Sequence, residues 1–194
     1  MALPSTQYIG AGTPLLSTGG VLAAPLGTTL PATAAAVPDA LFKALGYVSE
    51  DGLESQGERT VTPVKDWNAS IIAQLQTEHS VRFGLTLYGA WDADVLKEVF
   101  GVANVVVTAP TASSGTLIKV TETGSVLPMR SWIFDMKHES KKLRIVIPNG
   151  KISEVSENAY NAGELIGFQI VVEAFPDSAG AKSFRYYDDG VFAP

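Results

Sequence analysis

At 194 residues, with 46% hydrophobic side chains and a formal charge of −6, the chain can bury one substantial core and is too acidic to suit a protein that grips nucleic acid through its phosphates. It has no cysteine, which excludes a disulfide framework, a thiolate metal site and a cysteine nucleophile. The first residues lack the basic start of a signal peptide, and prolines break up their apolar residues. The expectation is therefore a soluble chain with no membrane role.

Residues 1–38 carry no charged side chain and hold five of the eleven prolines (Pro4, Pro14, Pro25, Pro31, Pro38). Free tails are usually charged and poor in hydrophobic residues. Residues 1–38 therefore read as a partly ordered leader or as an arm that docks on a neighbouring subunit, and residues 39–194 as a single β-rich domain. Residues 20–26 have the composition of a short strand in which Pro25 suits an edge. Asp39 reads as the N-cap of a short helix reaching Leu45, with Leu41, Phe42 and Leu45 on one face and Gly46 as its stop. Glu50, Asp51, Glu54 and Glu58 follow, opposed by Arg59 alone, as either a solvated loop or an acidic loop that meets a complementary surface.

Residues 68–88 form the longest alternating run. Ala69, Ile71, Ala73, Leu75, Val81, Phe83, Leu85 and Leu87 occupy one phase; Ser70, Gln74, Gln76, Glu78, Arg82 and Thr86 occupy the other. At roughly 3.3 Å per residue, twenty-one residues would reach ~70 Å if straight, several times a usual strand. The run must either bend and serve two pairings in succession or reach beyond its own subunit. A short helix follows, with Asp92 as cap, Val95, Leu96, Val99 and Phe100 as the apolar stripe and Gly101 just past its end. Residues 104–108 and 116–121 then read as strands rich in Val, Ile and Thr.

The second half is a series of strands. Trp132, Phe134 and Met136 alternate in one, and Leu143, Ile145 and Ile147 in the next, after a Glu139-Ser140 turn. Pro148-Asn149-Gly150 reads as a hairpin turn into residues 151–155. Ile166, Phe168, Ile170, Val172 and Ala174 line one face of the last long strand, and residues 183–188 supply an edge strand.

Little in this pattern carries chemistry. His79 and His138 sit beside Glu78 and Glu139 with no partner at ligand spacing, so no metal and no cofactor is expected. No phosphate-cradling loop or nucleophile elbow is present. Asp188-Asp189 and Glu50-Asp51 are adjacent pairs, which on a strand point to opposite faces. Tyr186-Tyr187 suits an edge strand better than a carbohydrate platform. The residues indicate a structural or binding protein and no catalytic site; the main rival reading is a β-sandwich module that binds a receptor or a carbohydrate.

The run DALFKALGYVSEDGLE, the Trp67 segment and long strand, DADVLKEVFG, RSWIFDMKHESKKLRIVIPNGKISEV, ELIGFQIVVEAFPDSAG and the closing YYDDG resemble the major tail tube protein of long-tailed, siphovirus-type bacteriophages, especially those of actinobacteria. The resemblance spans residues 21–190. It implies a mainly β, sandwich- or barrel-like fold related to the tube protein of type VI secretion, here with two short α-helices. It further implies hexameric rings stacked into a virion tail tube, made and assembled in the host bacterial cytoplasm. The partners implied are the tape measure protein inside the tube, tail terminator and distal tail proteins at its ends, and DNA that passes without specific binding. On this reading Ser70, Gln74, Gln76 and Glu78 face the lumen, whereas Ile71, Leu75, Val81, Phe83, Leu85 and Leu87 face the subunit core. Glu50, Asp51, Glu54, Glu58 and Arg59 belong to an inter-ring loop, and Lys141, Lys142 and Arg144 are its complementary basic candidates.

Overall fold

The computed structural model describes residues 9–15, 19–157 and 160–191. In chain order the strands are β1 (Thr13–Pro14), β2 (Val21–Pro25), β3 (Lys43–Ala44), β4 (Glu54–Ser55), β5 (Arg59–Lys65), β6 (Ile71–His79) and β7 (Arg82–Leu87). Helix α1 (Ala93–Phe100) follows, then β8 (Val105–Thr108), β9 (Leu117–Val120), β10 (Arg130–His138), β11 (Lys141–Glu157), β12 (Phe168–Phe175) and β13 (Phe184–Asp188). One sheet runs β3-β2-β10-β11-β12-β7-β4, with β1 added on β10 and β13 on β11. Phe83 of β7 and Phe134 of β10 stand three places apart in this order, yet their rings lie 5.4 Å apart. The sheet therefore curls on itself, in the sandwich- or barrel-like manner expected, around Trp132, Phe83, Phe134, Leu87, Ile147 and Ile170.

β11 makes the bend. Its first part pairs with β10 and β13 and its second with β12. At the change of partner, Arg130 faces Gly150 and Trp132 faces Ile147, so two residues of β11 oppose the single Ser131. This is a β-bulge, which bends a strand without ending it. The Pro148-Asn149-Gly150 turn expected from sequence is this bulge; no hairpin forms there. The Ser131 hydroxyl donates to the Pro148 carbonyl at 2.8 Å. Gly150 lies against Trp132, where any Cβ would come within 2.5 Å of the indole, so a close packing contact explains the glycine.

The helix expected at residues 39–45 is a single turn. Asp39 does cap it, accepting from the Leu41 N–H at 2.9 Å, but Lys43 and Ala44 then pair with Ala23 and Leu22 as β3. Extended chain sends Phe42 and Leu45 to opposite sides, and each fills a different core: Phe42 joins Leu22, Ile133 and Val146, while Leu45 joins the main cluster. Helical geometry could serve only one of these. Among the described residues α1 is the one α-helix, alongside a single 3-10 turn at Val102–Asn104.

Residues 21–24 are buried between β10 and β3, so this part of the uncharged segment belongs to its own subunit. Pro25 ends β2 beyond the reach of β3, where its missing N–H costs nothing. The first eight residues, also part of the expected arm, lie outside the described residues.

Candidate assembly surface

The long alternating run is two strands of one hairpin. β6 ends at His79 and β7 starts at Arg82, and across this join the partner strand keeps register: Glu54 faces Gly84, Ser55 faces Phe83, Arg59 faces His79 and Thr60 faces Glu78. Glu58 and Ser80 exchange both backbone hydrogen bonds, at 3.2 and 2.9 Å, and the Gln56 N–H donates to the Arg82 carbonyl. The hairpin therefore runs unbroken from Glu54 to Leu87. Its lower half lies in the sheet, because β7 also pairs with β12. Its upper half, β5–β6, is a two-stranded ribbon with no third strand among the described residues, and all of β6 is exposed.

Alternation sorts the side chains of this hairpin. Phe83, Leu85 and Leu87 point into the core. On the opposite face stand Arg82 and Thr86, beside Glu173 and Gln169 of β12, which in turn neighbour Lys151 and Ser156 of β11. Continued register adds Glu54, Gln56, Glu58, Thr60, Glu78 and Ser80. One polar, mainly acidic face thus crosses three strands and climbs the ribbon. A bulge at Thr77 then shifts the register, so that Val61 faces Gln76 and Pro63 faces Gln74. Gln76 accepts from the Arg59 guanidinium at 3.0 Å on the reverse face.

The four residues expected to face a lumen consequently divide. Glu78 lies on the polar face, Gln74 and Gln76 on the reverse, and Ser70 in the turn at the tip. The expectation that Ile71 and Leu75 face the core is corrected. They sit on the ribbon beyond the core and are 59% and 57% exposed.

The tip is a defined turn. The Asp66 carboxylate accepts from the Ser70 N–H at 2.8 Å, the Asp66 N–H donates to the Ser70 carbonyl at 2.9 Å, and Ala69 takes a left-handed φ of 62°. Trp67 stands on it 99% exposed.

The other end of β7 leads to a groove. Leu87 runs into the Tyr88–Ala93 loop, where Asp92 caps α1 by accepting from the Asp94 N–H at 2.8 Å. The loop, α1, β9 and the segment before β12 enclose an open groove of about 1060 Å³, lined by Trp91, Phe100, Leu117, Tyr160, Ile166 and Phe168 among others. Val95, Leu96 and Val99 fasten α1 to the core, Phe100 meets Phe168 edge-on at 5.6 Å, and Glu98 binds the Arg130 guanidinium through both of its oxygens. Burial raises the Glu98 carboxyl above its ordinary range against the pull of Arg130. Trp91 had no role in the sequence reading; its signal is a large aromatic residue immediately before a helix cap.

The remaining site candidates scatter. Glu50 and Asp51 form an exposed turn at the sheet edge, and Glu54, Glu58 and Arg59 belong to the hairpin. Lys142 is exposed, and Lys141 donates to the Ile9 carbonyl at 2.8 Å. Arg144 cannot serve as a surface cation. It is 3% exposed, paired with Asp135 at 2.5 and 2.8 Å, and donates to the carbonyls of Thr33 and Ala36. Sequence held a clue to this pairing, because a two-residue Glu139-Ser140 turn sets Asp135 opposite Arg144. Tyr186 stacks on Phe184 beside the second core, which leaves Tyr187 alone facing outward and no two-tyrosine platform. No cluster of potential metal ligands occurs among the described residues, and no helix there is long and apolar enough to cross a membrane.

Comparison with known proteins bears on this architecture. No curated protein matches the sequence. Among solved structures, the chain is similar to the cap that terminates the anti-feeding prophage tube, with 7% identity over 93% of this chain and 94% of that one and a TM-score of 0.47. It is also similar to a chain of the sheath–tube complex of the PVC extracellular contractile injection system, with 6% identity over 96% and 100% and a TM-score of 0.41. A family model described as phage tail tube protein matches residues 1–193, so the chain belongs to the phage tail tube protein family, a family of structural proteins and not of enzymes.

Proposed function

We propose that six copies of this chain close into a ring and that rings stack into the tube of a non-contractile phage tail, through which genome DNA leaves the virion. The observation that carries this reading is the hairpin that outgrows its sheet. A two-stranded ribbon is marginal in water, and its unpaired edges invite further strands. Here it also bares Val61, Ile71, Ile72 and Leu75. Neighbouring copies that cover the ribbon would remove both liabilities, and a sheet closed across subunits has no edge.

The wall facing the DNA is the polar face. Its carboxylates Glu54, Glu58 and Glu78, joined by Glu154 opposite Val171 of β12, repel phosphate, and its cations Arg82 and Lys151 both flank Glu173, Arg82 at 3.7 Å. DNA then passes without being held, the tape measure protein occupies the same channel before ejection, and terminator and distal tail proteins close the two ends. Electron microscopy of the purified protein, alone and seeded with tail fragments, tests this. Six-fold rings or tubes with a central channel are expected; a monomer that stays monomeric with seeds and binds a glycan would overturn it. Lysine at Glu54, Glu58 and Glu78 together should leave tubes intact and slow DNA release in low salt.

A further inference from the structure

We propose that the tip of the hairpin, with Trp67 as anchor, seats in the Trp91–Leu117–Tyr160 groove of a second copy of this chain in the next ring; this rests on the stacking read above and names its two halves. The argument begins with direction. β7 runs from Arg82 to Leu87; the ribbon leaves its first end, and the groove opens at its last. Knob and socket therefore lie at opposite ends of one strand line and cannot meet within a subunit. Displacing a copy along that line brings the one toward the other. A contact between two different patches of the same surface is head-to-tail, and when the copies are displaced along one line rather than around a closing rotation it propagates as an open stack.

The chemistry agrees. The tip offers an indole that is 99% exposed on a turn already fixed by Asp66, so little ordering is left to offset on docking. The groove offers aromatic and aliphatic walls, with Trp91 81% and Leu117 57% exposed, and its volume of about 1060 Å³ admits a side chain with its flanking backbone. Exposed apolar surface of this kind marks an interaction site, and tryptophan is among the residues enriched as interface anchors in well-packed pockets. Charge is neutral to the fit: the lining carries Asp92 and Glu122, and the tip carries one cation, Lys65, and one anion, Asp66, whose carboxylate is occupied by the Ser70 N–H. The geometry also limits the stack. From Trp67 to Trp91 the chain path covers at most roughly 80 Å at about 3.3 Å per residue, so the axial repeat between rings cannot exceed that length.

The test uses the full chain. Trp67→Ser and, separately, Leu117→Arg should each weaken ring stacking about thirtyfold or more while leaving the circular dichroism and unfolding midpoint of the subunit unchanged. Each variant keeps one half of the contact, so mixing them should give stacks that stop at two rings. The absence of cysteine allows a direct check: Asn68→Cys with Leu117→Cys should form a ladder of disulfide-linked copies under mild oxidation of assembled tubes, and neither single variant should. Wild-type tubes accompanied by normal Trp67→Ser tubes and no ladder would overturn the docking while leaving the tube reading in place. Absence of rings and tubes from the wild type would instead remove the tube reading itself.

Discussion

The two halves of the central hairpin are one continuous pairing with similar side chains, bulged in the upper half, but live in different surroundings. In the lower half, Phe83, Leu85 and Leu87 meet α1, β10 and β12 and are buried. In the upper half, Ile71 and Leu75 have the same character and meet solvent. Alternation thus marks a strand, and the neighbouring elements decide whether its apolar side chains are covered. The covered half folds the subunit, and the bare half is available to another copy. Substitution separates them most sharply: Phe83→Ala should destabilise the monomer by about 3–5 kcal/mol in denaturant unfolding, the usual cost of emptying a buried phenylalanine site. Ile71→Ala should change monomer stability by less than about 0.5 kcal/mol and show its effect in tube yield. An equal loss of monomer stability from both would mean that the ribbon folds back onto its own subunit.

Charges divide in the same way. Asp135 and Arg144 are enclosed behind the segment that holds Thr33 and Ala36, whereas Glu58 and Glu78 stand in water on the ribbon. Removing one member of a buried pair strands the other, so Asp135→Ala should cost about 3–5 kcal/mol, while replacing Asp135 and Arg144 together by Leu and Met should cost far less. Glu78→Ala should stay within about 0.5 kcal/mol. A double-mutant cycle on unfolding midpoints measures the coupling, and a coupling near zero would mean that the two carbonyls alone satisfy Arg144.

The contrast also shows which parts of the fold sequence could reveal. Alternation located β7, β10 and β12, and an N-cap, an apolar stripe and a positive-φ glycine located α1. It failed where two structures satisfy one pattern. Phe42 and Leu45 suit one helix face or two strand faces, and only the presence of two separate cores selects the strand. Pro148-Asn149-Gly150 suits a turn or a bulge, and the side chain of Trp132 decides. Gln74, Gln76 and Glu78 share one phase in the sequence, but a single bulge at Thr77 moves Gln74 and Gln76 to the face opposite Glu78. The groove was invisible because its walls come from residues 88–122 and 160–168, which only the folded chain brings together.

The smallest effect concerns Glu98, which like Asp135 is a buried acidic residue paired with an arginine. Desolvation raises its carboxyl above the ordinary value of 4.5, outweighing the hydrogen bond and charge of Arg130. A folded-state pKa above the unfolded one means that the native protein binds this proton more tightly. The stabilisation is complete below the unfolded value near pH 4.5 and is lost as pH rises through the higher folded value. Glu98→Gln keeps an oxygen for the Arg130 guanidinium and cannot ionise. Measured side by side in urea, the wild type should therefore lose stability relative to Glu98→Gln as pH rises from 4 to neutrality. A wild type that gains on the variant over that range would mean that the hydrogen bond and charge of Arg130 outweigh burial at this carboxyl.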